Sequence, residues 1–252
     1  MVLEKLDATG KHPENQEPSK QSAITKAEIF LNYPIPKEAE GVVSRVRELG
    51  MGGNFAAYRL SGTTLEKDSN FPEWKIKPED WYWEQIANGK IAPGSAKLPD
   101  AWILVDKTQR PDYGDGKQLY ENDPFGPLLK KLRKEGKILN IKGIPEASRF
   151  GIYHDELTQV VLPEIAKLLG IESSKVRLPK AIEFNILGNQ FYPNWGKANT
   201  WEWFADNFES SHRFLVGGGS GHGGLAHVRC PWTFGRSAGI GFRPLVVVSS
   251  KA

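Results

Sequence analysis

Residues 212–243, HRFLVGGGSGHGGLAHVRCPWTFGRSAGIGFR, determine how the rest of this chain is interpreted. They hold nine of the chain's 26 glycines and three of its five histidines. Glycine at this density disfavours a helix and favours turns, bulges and close approaches between backbone segments. Residues 243–249 (RPLVVVS) follow, and their β-branched side chains predict a buried strand. Loops held on a sheet favour binding or catalysis, although tight turns between short strands explain the same composition.

The overall composition is that of a globular protein. The chain has 252 residues, of which 39% are hydrophobic and 25% charged, and this length fits one large domain or two small ones. No apolar run is long enough to span a membrane, and the N-terminus lacks the apolar segment of a signal peptide, so we expect a cytoplasmic protein. Cys230 is the only cysteine, which excludes an internal disulfide framework and a multi-cysteine zinc site.

Charge is distributed unevenly along the chain. The net charge of +3 is too small to argue for a nucleic-acid partner. From Ser210 to the C-terminus, however, there are five lysines and arginines and no aspartate or glutamate. A solvent-exposed basic face is the usual meaning of such a bias, and a site for an acidic ligand is the alternative.

Hydrophobic periodicity and turn residues divide the chain into predicted elements. Helices are predicted over residues 36–49, 80–87, 123–136, 155–169 and 179–188, and strands over 56–60, 102–106, 200–204 and 243–249. Pro163 should kink or divide the helix over 155–169. His154, just before that helix, is interpreted as a packed or capping residue rather than a metal ligand. In TWEWF, Trp201 and Trp203 should share one face of a strand as core residues.

Four short motifs occur in a fixed order: Arg177-Leu178-Pro179 with Glu183, Trp201-Glu202-Trp203 with Asp206, Gly218-Gly219-Ser220, and Gly241-Phe242-Arg243. In this order they resemble the sulfatase-modifying-factor, or formylglycine-generating-enzyme-like, branch of the C-type lectin fold. The resemblance covers roughly residues 100–252 and implies an α+β domain of that fold. We expect residues 22–99 to be an N-terminal elaboration packed on the same domain, and residues 1–21 to be a disordered tail.

The chain departs from the catalytic members of that branch. Those that oxidise cysteine use their own reactive thiols, and Cys230 alone cannot supply a thiol pair. His222, His227 and His212 could attract a metal, but their glycine-rich sequence offers no carboxylate to orient them. We therefore expect no catalytic residues, no metal and no cofactor.

The chain also resembles the variable proteins of diversity-generating retroelements, of the archaeal type, which are ligand-binding proteins on the same fold branch. Their variable segment lies just before the C-terminal G-F-R motif, here about residues 210–235. Adenine-directed mutagenesis of asparagine codons cannot yield Met, Lys, Gln, Glu or Trp. The first four are absent between Ser210 and Gly235, where Trp232 is the only tryptophan. This absence is what such mutagenesis would leave.

Alternation within the segment suggests which positions are displayed. From Leu225 to Thr233, chemically miscellaneous residues occupy every second position, and small or apolar ones stand between them. A half-exposed structural strand explains the same alternation. The resemblance implies that the variable ligand-binding positions are Ser211, His212, Leu215, His222, Leu225, His227, Arg229, Pro231 and Thr233, on a scaffold that includes Trp201, Trp203, Trp232 and Phe242.

These observations predict a non-catalytic protein that displays a hypervariable surface for a ligand, with another protein as the expected partner and neither nucleic acid nor membrane involved. Two alternatives stay open. One is a formylglycine-generating-enzyme-like or iron-dependent oxidase, and the other is a carbohydrate-binding or adhesin module.

Overall fold

The computed structural model describes residues 24–27, 37–209, 213–231 and 237–250, in which helices and strands are mixed along the chain. The prediction of an α+β protein is confirmed. The strands are β1 (Ile24–Ala27), β2 (Phe55–Ser61), β3 (Asp100–Asp106), β4 (Val176–Arg177), β5 (Trp201–Phe208), β6 (Arg213–Gly217), β7 (Val228–Arg229), β8 (Ile240–Gly241) and β9 (Leu245–Ser250). The α-helices are α1 (Lys37–Glu48), α2 (Asp80–Ala87), α3 (Gly126–Lys134), α4 (His154–Glu156), α5 (Leu162–Leu169) and α6 (Ala181–Gln190).

The elements predicted from periodicity all occur, with small shifts at their ends. Strand β5 continues to Phe208, beyond the predicted end at residue 204. Between the predicted helix over 179–188 and the predicted strand over 200–204 lie the end of α6 and a 3-10 turn, Pro193–Gly196. The predicted tail, residues 1–21, lies outside the described residues. None of the helices in the described part of the chain is long and apolar enough to cross a membrane.

The helix that Pro163 was predicted to kink or divide changes its helix type just before the proline. Helices α4 and α5 are joined by a π-helical segment, Leu157–Val161, which ends two residues before Pro163. Proline has no amide hydrogen and its ring clashes with the preceding turn, so a widened turn at this point relieves both problems. Gly170 ends α5 in the left-handed conformation at φ 70°, as a C-terminal glycine commonly does.

Two sheets organise the fold. The first is antiparallel, in the order β1-β2-β3-β9-β4, so strands from the N-terminal part of the chain pair with the C-terminal strand through β3. The second has the order β7-β6-β5-β8, with β5 and β8 parallel. Residues 37–99 and 100–250 therefore contribute to one packed structure.

Both faces of the first sheet are buried. Phe55 and Ala57 of β2 face a cluster that includes α1, α3 and α5, whereas Ala56 and Tyr58 face a second cluster that includes α2 and α6. Alternate residues of a strand point to opposite faces, so this sheet needs apolar residues at successive positions. Residues 245–248 form a continuous apolar run because both faces of their strand pack against a core cluster.

The predicted alternation in β5 is also confirmed. Trp203 is buried and Trp201 is half-buried in the first cluster, while Glu202 between them points away and is completely buried. The Trp203 indole Nε1–H donates a hydrogen bond to the Ile152 carbonyl at 3.3 Å. These tryptophans belong to the core, as the sequence predicts.

Glu202 is balanced by an arginine from the closing motif. Arg243 donates to both carboxylate oxygens of Glu202, at 3.2 and 2.9 Å, and the Tyr120 hydroxyl donates to the same carboxylate at 3.0 Å. The Arg243 guanidinium also lies 3.9 Å from the centre of the Trp195 ring. The W-E-W and G-F-R motifs are thus two halves of one buried ion pair.

A second buried arginine joins three segments. Arg149 donates to Asp106 at 2.5 Å and to Asp123 at 2.7 Å, and neither Arg149 nor Asp106 has an exposed side chain. Burial alone would raise the pKa of Asp106, but Arg149 and Arg243 hold it below its ordinary value. Asp123 also accepts the Phe125 backbone N–H at 2.9 Å, next to the start of α3.

The R-L-P motif stabilises the start of α6. Arg177 donates to both oxygens of Glu183, at 2.7 and 2.6 Å, and Glu183 also accepts the Lys180 backbone N–H at 2.8 Å. Asp206 accepts the Ala181 backbone N–H at 2.6 Å, and burial raises the pKa of this carboxyl group to about 6. All three acidic motif residues therefore have structural partners.

Candidate ligand-binding recess

The glycine-rich segment folds back tightly on the second sheet. A Cβ atom on Gly217 would lie 2.1 Å from the carbonyl oxygen of His227, so only glycine allows these two backbones to approach. Gly224 adopts a left-handed φ of 61° and begins a 3-10 turn, Gly224–Ala226. Close packing, rather than a free loop, is the reason for glycine at these positions.

This turn places Leu225 in the core. Leu225 is 3% exposed, and a Cβ atom on Gly188 of α6 would lie 2.4 Å from its Cδ2 atom. A Cβ atom on Gly196 would lie 2.7 Å from the backbone nitrogen of Leu225, so glycine is needed at this position as well. The prediction that Leu225 is displayed is wrong, because the 3-10 turn interrupts the expected alternation and directs the side chain inward.

Leu215 and His227 are also buried, contrary to the prediction. Leu215 lies in β6, between β5 and β7, and has no exposed surface. His227 is 2% exposed, and burial lowers the pKa of its imidazole to about 4. Neither side chain can meet a ligand in this conformation.

The remaining predicted positions divide into two groups. His222 is exposed and stacks on His227 with ring centres 5.0 Å apart, and Arg229 and Pro231 are half-buried. The predicted positions Ser211, His212 and Thr233, together with the predicted scaffold residue Trp232, lie outside the described residues. The scaffold residue Phe242 is completely buried, as expected. Within the described ranges, no three histidine, cysteine, aspartate or glutamate side chains group as metal ligands.

Arg229 faces a recess of about 530 Å³ between α2 and the ends of β5, β6 and β7. Its lining combines aromatic, cationic and polar side chains: Trp81, Gln85, Lys90, Phe208, Glu209, Arg213, Arg229 and Cys230. Trp81 and Gln85 are four residues apart in α2 and therefore lie on the same side of that helix. Phe208 of β5 and Arg213 of β6 are paired in the antiparallel sheet. The recess thus brings together three separate parts of the chain.

The apolar part of the recess is a stacked aromatic pair. The rings of Trp81 and Phe208 are 5.6 Å apart at an angle of 16°. Arginine guanidinium groups lie near both rings, with Arg213 at 4.9 Å from Phe208 and Arg229 at 5.2 Å from Trp81. Such contacts stabilise cations beside aromatic faces and hold the planar groups in place.

The charged part of the recess consists of three cations and two carboxylates. Glu209 is shared between Lys90 at 3.1 Å and Arg213 at 3.4 Å. Arg229 pairs with Glu79 at 2.5 Å, and the other oxygen of Glu79 accepts the Val228 backbone N–H. The side chains of Lys90 and Arg229 are 48% and 43% exposed, so both cations can reach a ligand in solvent.

Cys230 contributes the single thiol of the chain to the recess lining. The residue is 8% exposed, and burial raises the pKa of its thiol above the ordinary value. A reactive cysteine has a lowered pKa, because the thiolate is the nucleophile. The buried environment of Cys230 raises the pKa of its thiol instead, and therefore disfavours the reactive thiolate.

Sequence reasoning identified Arg229 but missed most of the recess. Trp81 and Gln85 come from the segment interpreted as an elaboration, and Phe208 lies beyond the predicted end of its strand. The four-residue spacing of Trp81 and Gln85 could have indicated that both side chains lie on one side of α2 and form one wall of the recess. Nothing local indicated that α2 packs against the end of β5.

Comparison of this chain with known protein families, with curated proteins and with solved structures finds no match. The recess is therefore assigned from its geometry and its charges alone.

Proposed function

We propose that this protein is a non-catalytic ligand-binding protein and that the recess between α2 and the ends of β5, β6 and β7 is its binding site. The observation that carries this proposal is the combination of a stacked Trp81–Phe208 pair with solvent-accessible cations in one concave site. Binding sites commonly pair an apolar surface with a few polar groups that fix orientation.

The architecture supports a binding surface that can change without loss of the fold. The buried ion pairs Glu202–Arg243 and Asp106–Arg149 hold the sheets and loops from inside. The recess cations Lys90 and Arg229, by contrast, are close to half exposed. Substitutions at exposed side chains usually change stability by less than about 0.5 kcal/mol.

We further propose that the scaffold is a C-type lectin fold of the formylglycine-generating-enzyme-like branch, and that a retroelement diversifies its ligand-binding surface. The structural partners of the R-L-P, W-E-W and G-F-R motifs support their use as a fixed framework. Variation would then concentrate at Arg229, at Pro231 and in the neighbouring sequence at 210–212 and 232–235. The buried residues Leu215, Leu225 and His227 would stay constant, because each contacts the core.

The state of Cys230 supports a binding role over the oxidase alternative. Thiol-based oxidation requires an accessible thiolate, and burial disfavours that form here. The acidic motif residues Glu183, Glu202 and Asp206 are likewise engaged in bonds that maintain the fold. They are not arranged around the recess.

Peptide selection followed by substitution tests the proposal. The purified chain is used to select binders from a random dodecapeptide phage library, and affinities of the enriched peptides are measured by biolayer interferometry. The recess variant combines Lys90→Ala, Arg213→Ala and Arg229→Ala. The control combines Lys130→Ala, Lys131→Ala and Lys134→Ala, which remove the same charge from the exposed face of α3.

We expect the recess variant to bind the selected peptides at least about tenfold more weakly, and the control to bind them as the unmodified chain does. Thermal melts of both variants establish that they are folded. Enrichment of no peptide, or equal binding by both variants, would overturn the proposed site.

A further inference from the structure

We infer that the recess recognises an acidic segment of a partner protein, in which a carboxylate side chain stands next to an aromatic or aliphatic one. This inference rests on the proposed function, since it names the ligand class of the same site. Three observations support it independently. They are the net positive charge of the recess, the unused hydrogen-bond donors of its cations, and the Trp81–Phe208 pair.

The charge balance of the recess is positive. Its lining contributes the cations Lys90, Arg213 and Arg229 and the single carboxylate Glu209, and Glu79 pairs with Arg229 from beside it. One positive charge remains even when both carboxylates are counted. The sequence that follows Glu209 adds no further carboxylate, because no acidic residue occurs after it.

Two cations retain capacity to donate. Arg229 Nη1 forms the ion pair with Glu79 and donates a hydrogen bond to the Val228 carbonyl, and neither Nε nor Nη2 donates a hydrogen bond to a described residue. Lys90 has three donor hydrogens, and its ion pair is with Glu209 alone in the described part of the chain. Bonds from a cation to a carboxylate are stronger than neutral hydrogen bonds, so an incoming carboxylate is the ligand group that these donors favour.

The aromatic pair specifies what stands next to the carboxylate. Trp81 is half-buried, whereas Phe208 is 6% exposed and belongs to the second core cluster; both rings line the recess. Apolar side chains of a ligand lose water-exposed surface against the exposed part of the Trp81 ring, and the Gln85 amide can bond a peptide backbone beside it. A short peptide segment offers an apolar side chain, a carboxylate and a backbone together.

The surroundings disfavour a polyanion such as nucleic acid. Asp80 and Glu84 are exposed on α2, the helix that supplies Trp81 and Gln85. A chain of phosphates leaving the recess over this helix would meet the negative charge of Glu84 and the Asp80 carboxylate, which is paired with Lys67 at 3.0 Å, whereas one carboxylate inside the recess would not. Binding of polyphosphates also needs several cations along a track.

The selected peptides provide the test. We expect aspartate or glutamate, next to an apolar residue, in the peptides whose binding depends on the recess. Replacing that residue by asparagine or glutamine should weaken binding about tenfold, and raising the salt concentration from 50 to about 500 mM should weaken it further. A matched Arg229→Glu variant should lose these peptides, while Lys131→Glu should keep them.

The outcomes separate the two proposals. Recess-dependent peptides that lack acidic residues, or amide forms that bind equally well, would overturn the acidic ligand and leave the site intact. A thymidine oligonucleotide that binds the recess more tightly than the peptides would also overturn it. If no peptide depends on the recess, the proposed function fails and this inference fails with it.

Discussion

The contact between Leu225 and Gly188 gives a direct test of the packing that removes Leu225 from the displayed surface. Leu225 is 3% exposed, and a methyl group on Gly188 would come within 2.4 Å of its Cδ2 and 3.2 Å of its Cδ1. Leu225→Ala should therefore cost about 2–5 kcal/mol, as removal of a buried leucine side chain does. Displayed on the surface, the same side chain would cost less than about 0.5 kcal/mol.

Gly188→Ala alone should destabilise the protein by overpacking, which costs about 1–3 kcal/mol, partly offset by about 1 kcal/mol from better helix propensity in α6. In the double variant, the new methyl group occupies space that Leu225→Ala vacates. The two substitutions should therefore couple favourably, so that the double variant is about 1–3 kcal/mol more stable than their sum predicts.

Urea unfolding followed by tryptophan fluorescence measures these values. Gly41→Ala in α1 is the control, because no atom lies within 4 Å of the Cβ position there and the substitution adds helix propensity alone. Its effect should add to that of Leu225→Ala without coupling. The placement of Leu225 in the core would be refuted by two results together. Gly188→Ala would couple to Leu225→Ala as weakly as Gly41→Ala does, and Leu225→Ala alone would barely change the free energy of unfolding.

Four other measurements test the framework and the absence of catalysis. Trp203→Ala should lower the free energy of unfolding by about 3–5 kcal/mol, and near-normal thermal stability would place the ring elsewhere. Glu202→Gln should cost about 3–5 kcal/mol in urea unfolding because it leaves Arg243 buried without its counter-charge; an unchanged midpoint would contradict the pair. Burial lowers the pKa of His154 to about 4, so the unfolded chain binds more protons between pH 6.5 and 4, and stability should fall as pH falls through this window. His154→Phe should lessen this fall in the free energy of unfolding by roughly 3 kcal/mol. Burial raises the pKa of Asp206 to about 6, which acts in the opposite sense but contributes equally to both proteins. Purified protein should contain no stoichiometric iron or copper and oxidise no thiol substrate, and tight copper or iron found by elemental analysis would contradict a non-catalytic role.

Local pattern was sufficient where one physical effect dominates. The apolar run at 245–248 forms a strand that packs on both faces, with Leu245 and Val246 buried and Val247 and Val248 half-buried, and TWEWF alternates as its residue order predicts. Pro163 interrupts its helix because its missing donor and its ring act within one turn. In each case the sequence signal itself lies within a few residues, so local pattern captures it.

The binding positions required information that local pattern does not contain. Alternation from Leu225 to Thr233 predicts a displayed strand only if the backbone stays extended, and the turn at Gly224 breaks that condition. The space that receives Leu225 is created by Gly188 and Gly196, which are distant in sequence. Trp81 reaches the recess through helix packing, which no motif near Arg229 reveals.

The basic C-terminal segment shows how composition can indicate chemistry without location. Arg243 is neutralised inside the protein by Glu202, so its charge never reaches a surface. Arg213 and Arg229 meet Glu209 and Glu79, both of which come from before the acid-free segment. Because counter-charges arrive only through tertiary packing, the three cations of this segment that the structure describes, Arg213, Arg229 and Arg243, do not form one basic face. The positive charge that these carboxylates leave unbalanced lies in the recess. Removal of charge from the recess should therefore weaken the binding of an acidic ligand far more than removal of the same charge from α3.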